Sequence, residues 1–173
     1  MPFDRKNIRL PLTQYLGQRW HFVTICCESR RHIFANPNHA RSLIEELRRV
    51  ASAKTFAVFA YCAMPDHFHL LVQGLAASSN LLAFVKTLKQ KTAFEFERKF
   101  HRDLWQNKFY DHILRPNDSV EAVAAYIWLN PVRKGLCDTA QDYPFSGSFA
   151  VDWKQIVPPS EPWLPSWKKK LPA

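Results

Sequence analysis

Residues 64–72 read Met-Pro-Asp-His-Phe-His-Leu-Leu-Val. Pro65 cannot donate to a strand ladder and turns the chain, and Asp66 favours the same turn. The run that follows, 67–73 (HFHLLVQ), is apolar and β-prone and reads as a strand. The segment before the turn, 55–63 (TFAVFAYCA), reads as its hairpin partner. Side chains alternate along a strand, so His67 and His69 share one face about 6.5 Å apart, with Phe68 on the other. Two imidazoles so placed can hold one ion from a rigid base. They can equally be hydrogen-bonded histidines of a core or surface, and His-x-His alone does not choose.

Outward from this hairpin, 20–28 (WHFVTICCE) reads as a first strand. Residues 38–51 carry Leu43, Ile44, Leu47 and Val50 at helical spacing. A long amphipathic helix spans 81–100, with Ser78, Ser79 or Asn80 able to cap it. A short strand, 109–114 (FYDHIL), stops at Arg115-Pro116. A third helix starts at Asn117 or Ser119, runs to about Leu129 and ends at Asn130-Pro131. The order β-α-β-β-α-β plus one helix is the split-βαβ pattern, which predicts an α+β, ferredoxin-like fold with an antiparallel sheet. We place one domain over 1–151. Residues 152–173 form an extension with three of the six tryptophans, five prolines and Lys168-Lys169-Lys170.

The 173 residues carry a net charge of +9 and a pI near 9.6, which favours a polyanionic partner. No apolar run approaches the ~18 residues that cross a bilayer, and MPFDRKNIRLPL holds no signal-peptide core, so a cytoplasmic protein is expected. Cys26, Cys27, Cys62 and Cys137 include no C-x-x-C pair and read as reduced thiols.

A second pair joins the histidines. In Tyr126-Ile127-Trp128-Leu129-Asn130-Pro131, Tyr126 and Asn130 fall one helical turn apart on a single face. Their plainer reading is a packing tyrosine and a helix-capping amide. Together, however, the two pairs suggest chemistry. A divalent ion held by His67, His69 and the Asn130 carbonyl would keep open positions for a phosphate oxygen. A tyrosine beside that phosphate can attack in line and form a covalent phosphotyrosine. An unperturbed phenol titrates near ~10, so it would need the ion's field or a base. Ester exchange conserves bond energy and needs no ATP, in keeping with the absence of a G-x-x-x-x-G-K-[ST] loop.

His67-Phe68-His69 resembles the His-hydrophobic-His motif of single-tyrosine (HUH) transposases, and Tyr126-Ile-Trp-Leu-Asn130-Pro-Val-Arg133 resembles their tyrosine helix. The sequence is most similar to the branch called REP-associated tyrosine transposases. That branch carries segments like Trp20-His21-Phe22-Val23-Thr24 and Trp105-Gln106, then N-P-V-x-x-G-L and Y-P-x-S, matched by 130–136 and 143–146. Gly147 departs from a frequent second serine, a difference expected to matter little. The resemblance covers roughly 15–148. It implies a Mg²⁺ or Mn²⁺ site and cleavage of single-stranded DNA beside a REP-like hairpin. It also implies a bond from Tyr126 to the 5′ phosphate, a nucleoid-associated bacterial protein, and a monomer with a homodimer as the alternative.

Lys86, Lys89, Lys91 and Arg98 are candidates for phosphate contacts, with a solvated helix face as the plain alternative. Trp153, Trp163, Trp167, Lys168, Lys169 and Lys170 could stack on unpaired bases and hold the backbone, or fold back over the core. Arg133 and Lys134 could reach the scissile region. Asp66 could orient an imidazole or simply serve the turn. Two competing functions remain: a phosphodiester hydrolase using the same histidines to activate water, and a non-catalytic nucleic-acid-binding module. An H-x-H-x-H hydrolase would need histidine at Leu71, and the aromatic signatures of the common RNA-binding sheet are missing.

Overall fold

The computed structural model describes residues 10–156, 162–165 and 168. Five strands and four α-helices follow one another as β1 (Trp20–Cys26), α1 (Pro37–Ala53), β2 (Phe56–Met64), β3 (His67–Gly74), α2 (Leu81–Phe100), β4 (Tyr110–Ile113), α3 (Val120–Trp128), α4 (Asn130–Arg133) and β5 (Ser146–Gly147). They form one antiparallel sheet in the order β4-β1-β3-β2-β5. Its first four strands have the expected ferredoxin-like arrangement.

Each crossover helix begins at an asparagine cap. The Asn36 side chain accepts from the Asn38 amide at 2.9 Å and that of Asn80 from the Ala83 amide at 3.1 Å. Helices α1 and α2 cover one face of the sheet, burying Leu43, Leu47, Phe84, Val85 and Leu88 against Val23, Phe68, Leu70 and Val72. The other face packs Phe22, Ala60, Cys62, Met64 and Leu71 against Val123, Tyr126 and Ile127 of α3. Both faces are therefore closed, which is why β3 reads as a nearly continuous apolar run.

Strand β2 serves both layers through a bulge. Val58 pairs with Val72 but Ala60 with Leu71, leaving Phe59 as the extra residue. Upstream, Phe56 and Val58 face the α1/α2 layer; downstream, Ala60, Cys62 and Met64 face α3. Beyond Leu129 the chain continues as α4, because Pro131 lies in its first turn, where a missing N–H costs nothing. Strand β5, unmarked in the sequence, pairs Gly147 and Ser146 with Tyr61 and Cys62 of β2. A Cβ on Gly147 would lie 2.6 Å from Tyr61 Cζ, so a serine here would require the Tyr61 ring to shift.

His21 on β1 is fully buried, with no hydrogen-bond partner for either ring nitrogen among the described residues. Burial, reinforced by Arg19, lowers its pKa from 6.5 to about 4. The cysteines are free thiols, Cys27 and Cys62 buried. Among the described residues no helix is long and apolar enough to cross a membrane.

Candidate functional site

Register brings the site together. Across β1 and β3, Cys26 pairs with His67, Thr24 with His69 and Phe22 with Leu71, so these six residues share the α3 face. His67 and His69 are buried, with their Nε2 atoms 3.0 Å apart. Their other nitrogens are braced: His67 Nδ1 against Asp66 Oδ1 at 2.6 Å, His69 Nδ1 against Thr24 Oγ1 at 2.8 Å.

The proton positions follow from the partners. A carboxylate only accepts, so His67 Nδ1 donates to Asp66, and whenever the ring is neutral its Nε2 keeps the lone pair. His69 Nε2–H then donates to His67, and the Thr24 hydroxyl donates to His69 Nδ1. A hydroxyl can also accept, so Thr24 supports the other His69 tautomer equally well, the one that frees Nε2 as a ligand. Burial above all, then the charges of His67, Arg133, Lys168 and Arg30, hold His69 well below its ordinary pKa. It is thus a neutral imidazole at pH 7. The hydrogen bond from His67 holds the Asp66 carboxyl below the usual range against the opposing effect of burial, and Arg30 adds to the lowering.

Arg30 was not foreseen in the sequence. Its Nε lies 3.0 Å from Asp66 Oδ2 and its guanidinium also bonds Cys26 Sγ at 2.7 Å. Ser29 and Arg30 both adopt left-handed φ, 54° and 53°, a conformation costly for non-glycine residues. That turn delivers the guanidinium to the carboxylate that braces His67.

Helix α3 supplies the tyrosine. Ser119 caps it, accepting from the Ala122 amide at 3.1 Å, and Trp128 Nε1 donates to the Gly147 carbonyl at 3.0 Å, tying the helix to β5. Tyr143 of the Y-P-x-S segment fixes the same corner by donating to the Ala63 carbonyl at 2.8 Å. Tyr126 is buried, and its ring centroid lies 6.0 Å from that of His69 and 6.0 Å from that of Phe22. Tyrosine and histidine pair therefore converge within one chain. Asn130 is buried one turn further on, at the start of α4. Among the described residues no three His, Cys, Asp or Glu side chains gather into an ion-binding group. An ion here would take the two imidazoles and complete its shell from an amide, water or phosphate. Neighbouring ligands of an octahedral ion at ~2.1 Å are ~3.0 Å apart, which matches the Nε2 separation, so the pair fits such an ion.

The remaining candidates separate into two groups. Arg133 lies with Cζ 4.4 Å above the Tyr126 ring, and Lys168 Nζ 5.3 Å from the same ring. Trp163 packs on Phe22 at 5.0 Å and on Tyr126 at 5.3 Å. Described parts of the extension thus lie over the tyrosine. Trp153 stacks on Trp128 at 5.2 Å, the folded-back alternative, and Lys134 is exposed. Trp167, Lys169 and Lys170 lie outside the described residues. The α2 cations stand on the opposite face of the sheet from the histidines. Lys86 is exposed, Lys91 approaches Glu46 at 3.9 Å and Arg98 pairs with Glu95 at 2.7 Å. Lys89 is committed to structure, donating to the Gln106 and Asn107 carbonyls at 2.7 and 2.9 Å.

Comparison with known proteins adds to this geometry. Residues 15–130 match the family described as transposase IS200 like. A Haemophilus influenzae protein provisionally named a REP-associated tyrosine transposase is 28% identical over 152 residues, covering 82% of this chain and 85% of the relative. The REP-associated tyrosine transposase of Escherichia coli K12 is 23% identical over 145 residues, covering 79% and 85%. A solved REP-associated tyrosine transposase bound to a REP hairpin superposes with a TM-score of 0.66 at 21% identity, covering 81% of each chain, and so shares the fold.

Proposed function

The chain belongs to the IS200-like transposase family, and on that premise we propose that it cuts and rejoins single-stranded DNA beside REP-like hairpins. Tyr126 is the nucleophile, and His67, His69 and Asn130 hold Mg²⁺ or Mn²⁺. The observation that carries this reading is the convergence of Tyr126 on an imidazole pair spaced for one ion.

When bound, the ion supplies Lewis-acid polarisation of the scissile phosphate. The chain's residues do the rest. Asp66 and Thr24 hold the two rings by their Nδ1 atoms and leave both Nε2 atoms, 3.0 Å apart, for the ion. Tyr126 Oη forms a bond to phosphorus as the bond to the 3′ oxygen breaks. A 5′-phosphotyrosine and a free 3′ hydroxyl result, the phenol proton passing overall to that hydroxyl. Arg133, over the tyrosine ring and donating to the Tyr126 carbonyl at 2.5 Å, would meet phosphate charge with its remaining N–H groups. Reversal by another 3′ hydroxyl reseals the strand. The approach of Tyr126 to His69 of its own chain, ring centroids 6.0 Å apart, supports a monomer.

Incubation of the full chain with a single-stranded hairpin substrate and Mn²⁺, read on a denaturing gel, tests the reading. A covalent protein–DNA adduct is expected, lost in Tyr126→Phe and on chelation. Cleavage that survives Tyr126→Phe would instead identify a hydrolase. Salt-sensitive binding indifferent to metal and to His67→Ala would identify a non-catalytic module.

A further inference from the structure

On the face of the sheet away from Tyr126, α1 and α2 pack side by side. The buried residues of α2 end at Ala93, and of its last two turns Phe96 still packs against the core. A cleft of about 870 Å³ opens between them, and a second hollow of about 390 Å³ adjoins it. Both share Ile33, His39, Phe96 and Phe100. The three rings form a cluster, with Phe96 and Phe100 centroids 4.8 Å apart and His39 edge-on to them at 5.7 and 5.8 Å. His39 is fixed by donating Nδ1–H to the Ile33 carbonyl at 3.2 Å. Phe100 nevertheless stays 40% exposed, although the helix pair has an ample core elsewhere.

The rim says what would cover these rings. Seven Lys/Arg against three Glu line the two hollows, a surplus of four positive charges. Two of the carboxylates are already engaged, Glu46 by Arg49 and Lys91 and Glu95 by Arg98. One exposed ring, Phe100, backed by the half-buried Phe96 and His39 and with Lys99 Nζ 5.2 Å from its centroid, set among surplus cations is an arrangement that takes a single-stranded nucleic acid, a base on the ring and phosphates on the rim.

The cleft also adjoins the catalytic edge. Arg30 holds Asp66 beside His67, and the next two residues, Arg31 and His32, line the smaller hollow. Two residues of chain span at most ~7 Å. Arg31 itself is tied to the Glu28 and Asp103 carbonyls, so it fixes the segment that joins this edge to the hollow.

We propose that the α1/α2 cleft seats an unpaired base of the strand flanking the cleavage point, stacked on Phe100 and Phe96, with Arg102 and Lys99 on its phosphates. The inference rests on the DNA-processing reading above. Fluorescence anisotropy of the full chain with two labelled probes tests it, one of about twelve thymidines and one blunt hairpin with no single-stranded arm. Phe100→Ala should weaken the thymidine probe about tenfold and leave the hairpin within about twofold. Arg102→Gln, outside any helix or strand, should weaken the same probe at low salt, and that loss should vanish as salt is raised. Thermal melting checks that each variant folds, and the arginine variant carries the test should the phenylalanine one fail to fold. Parent-like binding of the thymidine probe by folded variants, with hairpin binding intact, overturns the cleft alone. Equal weakening of both probes overturns the assignment to an unpaired base. Failure of the parent to bind either probe sinks the DNA reading and the cleft together.

Discussion

His21→Leu should remove a large part of this protein's acid sensitivity. In the native state burial holds the imidazole at about 4, against 6.5 when exposed. The unfolded chain therefore binds the proton first as pH falls. Stability is fully present above about 6.5, declines below it, and stops declining near 4, where the native ring also charges. The whole window is worth about 3.4 kcal/mol at about 1.4 per pH unit, and about 2 of that falls between pH 7 and pH 5. For 173 residues the unfolding entropy is about 0.4 kcal/mol/K, so this one group should lower Tm by about 5 °C over that interval. Leucine fills similar space and leaves no unpartnered nitrogens, so the variant should match or exceed the parent at pH 7. Scanning calorimetry of both proteins at pH 7 and pH 5 isolates the term, since His69 and every other titrating group is common to both. A Tm difference that is the same at the two pH values would refute the reasoning.

Thr24→Val removes the hydroxyl that holds His69 in either tautomer, and should weaken Mn²⁺ binding about 10- to 100-fold by calorimetric titration; unchanged affinity would deny Thr24 that role. Lys168→Gln removes a positive charge that acts on His69, and should tighten Mn²⁺ binding more at low salt than at high; no change at either would discount the charge. Gly147→Ser forces a Cβ against Tyr61 and should cost about 1–3 kcal/mol in denaturant unfolding, where a neutral result would mean that Tyr61 yields freely. Asn130→Ala should lower metal-dependent cleavage while DNA binding stays largely intact; collapse of DNA affinity with cleavage per complex preserved would reassign the amide.

Much of this architecture was legible because two periods are explicit in the chain. Alternation at two residues placed both histidines on one side of β3, and 3.6-residue spacing marked α2 from Leu81 to Phe100. The hidden parts depend on registers that no local pattern reveals. Thr24 matters only because β1 pairs with β3 so that it lies opposite His69. Arg30 reaches Asp66 only through two left-handed residues, neither of them glycine. The α2 cations were read by charge alone. Two crossovers of the same hand place α1 and α2 on one side of the sheet, so those cations stand on the face away from the histidines. Lys89 shows a second limit, since a lysine that ties down a loop looks in sequence like any other.

The extra residue in β2 has a wider effect than its size suggests. Without Phe59's interruption, strict alternation would send Cys62 and Met64 toward the crossover helices and turn Tyr61 and Ala63 to the side where the imidazoles stand. The floor beside the imidazoles would then be a phenol ring instead of a thiol and a thioether. One inserted amino acid thus acts as a hinge in the numbering of the strand, turning Ala60, Cys62 and Met64 of its second half to the face that carries the histidine pair.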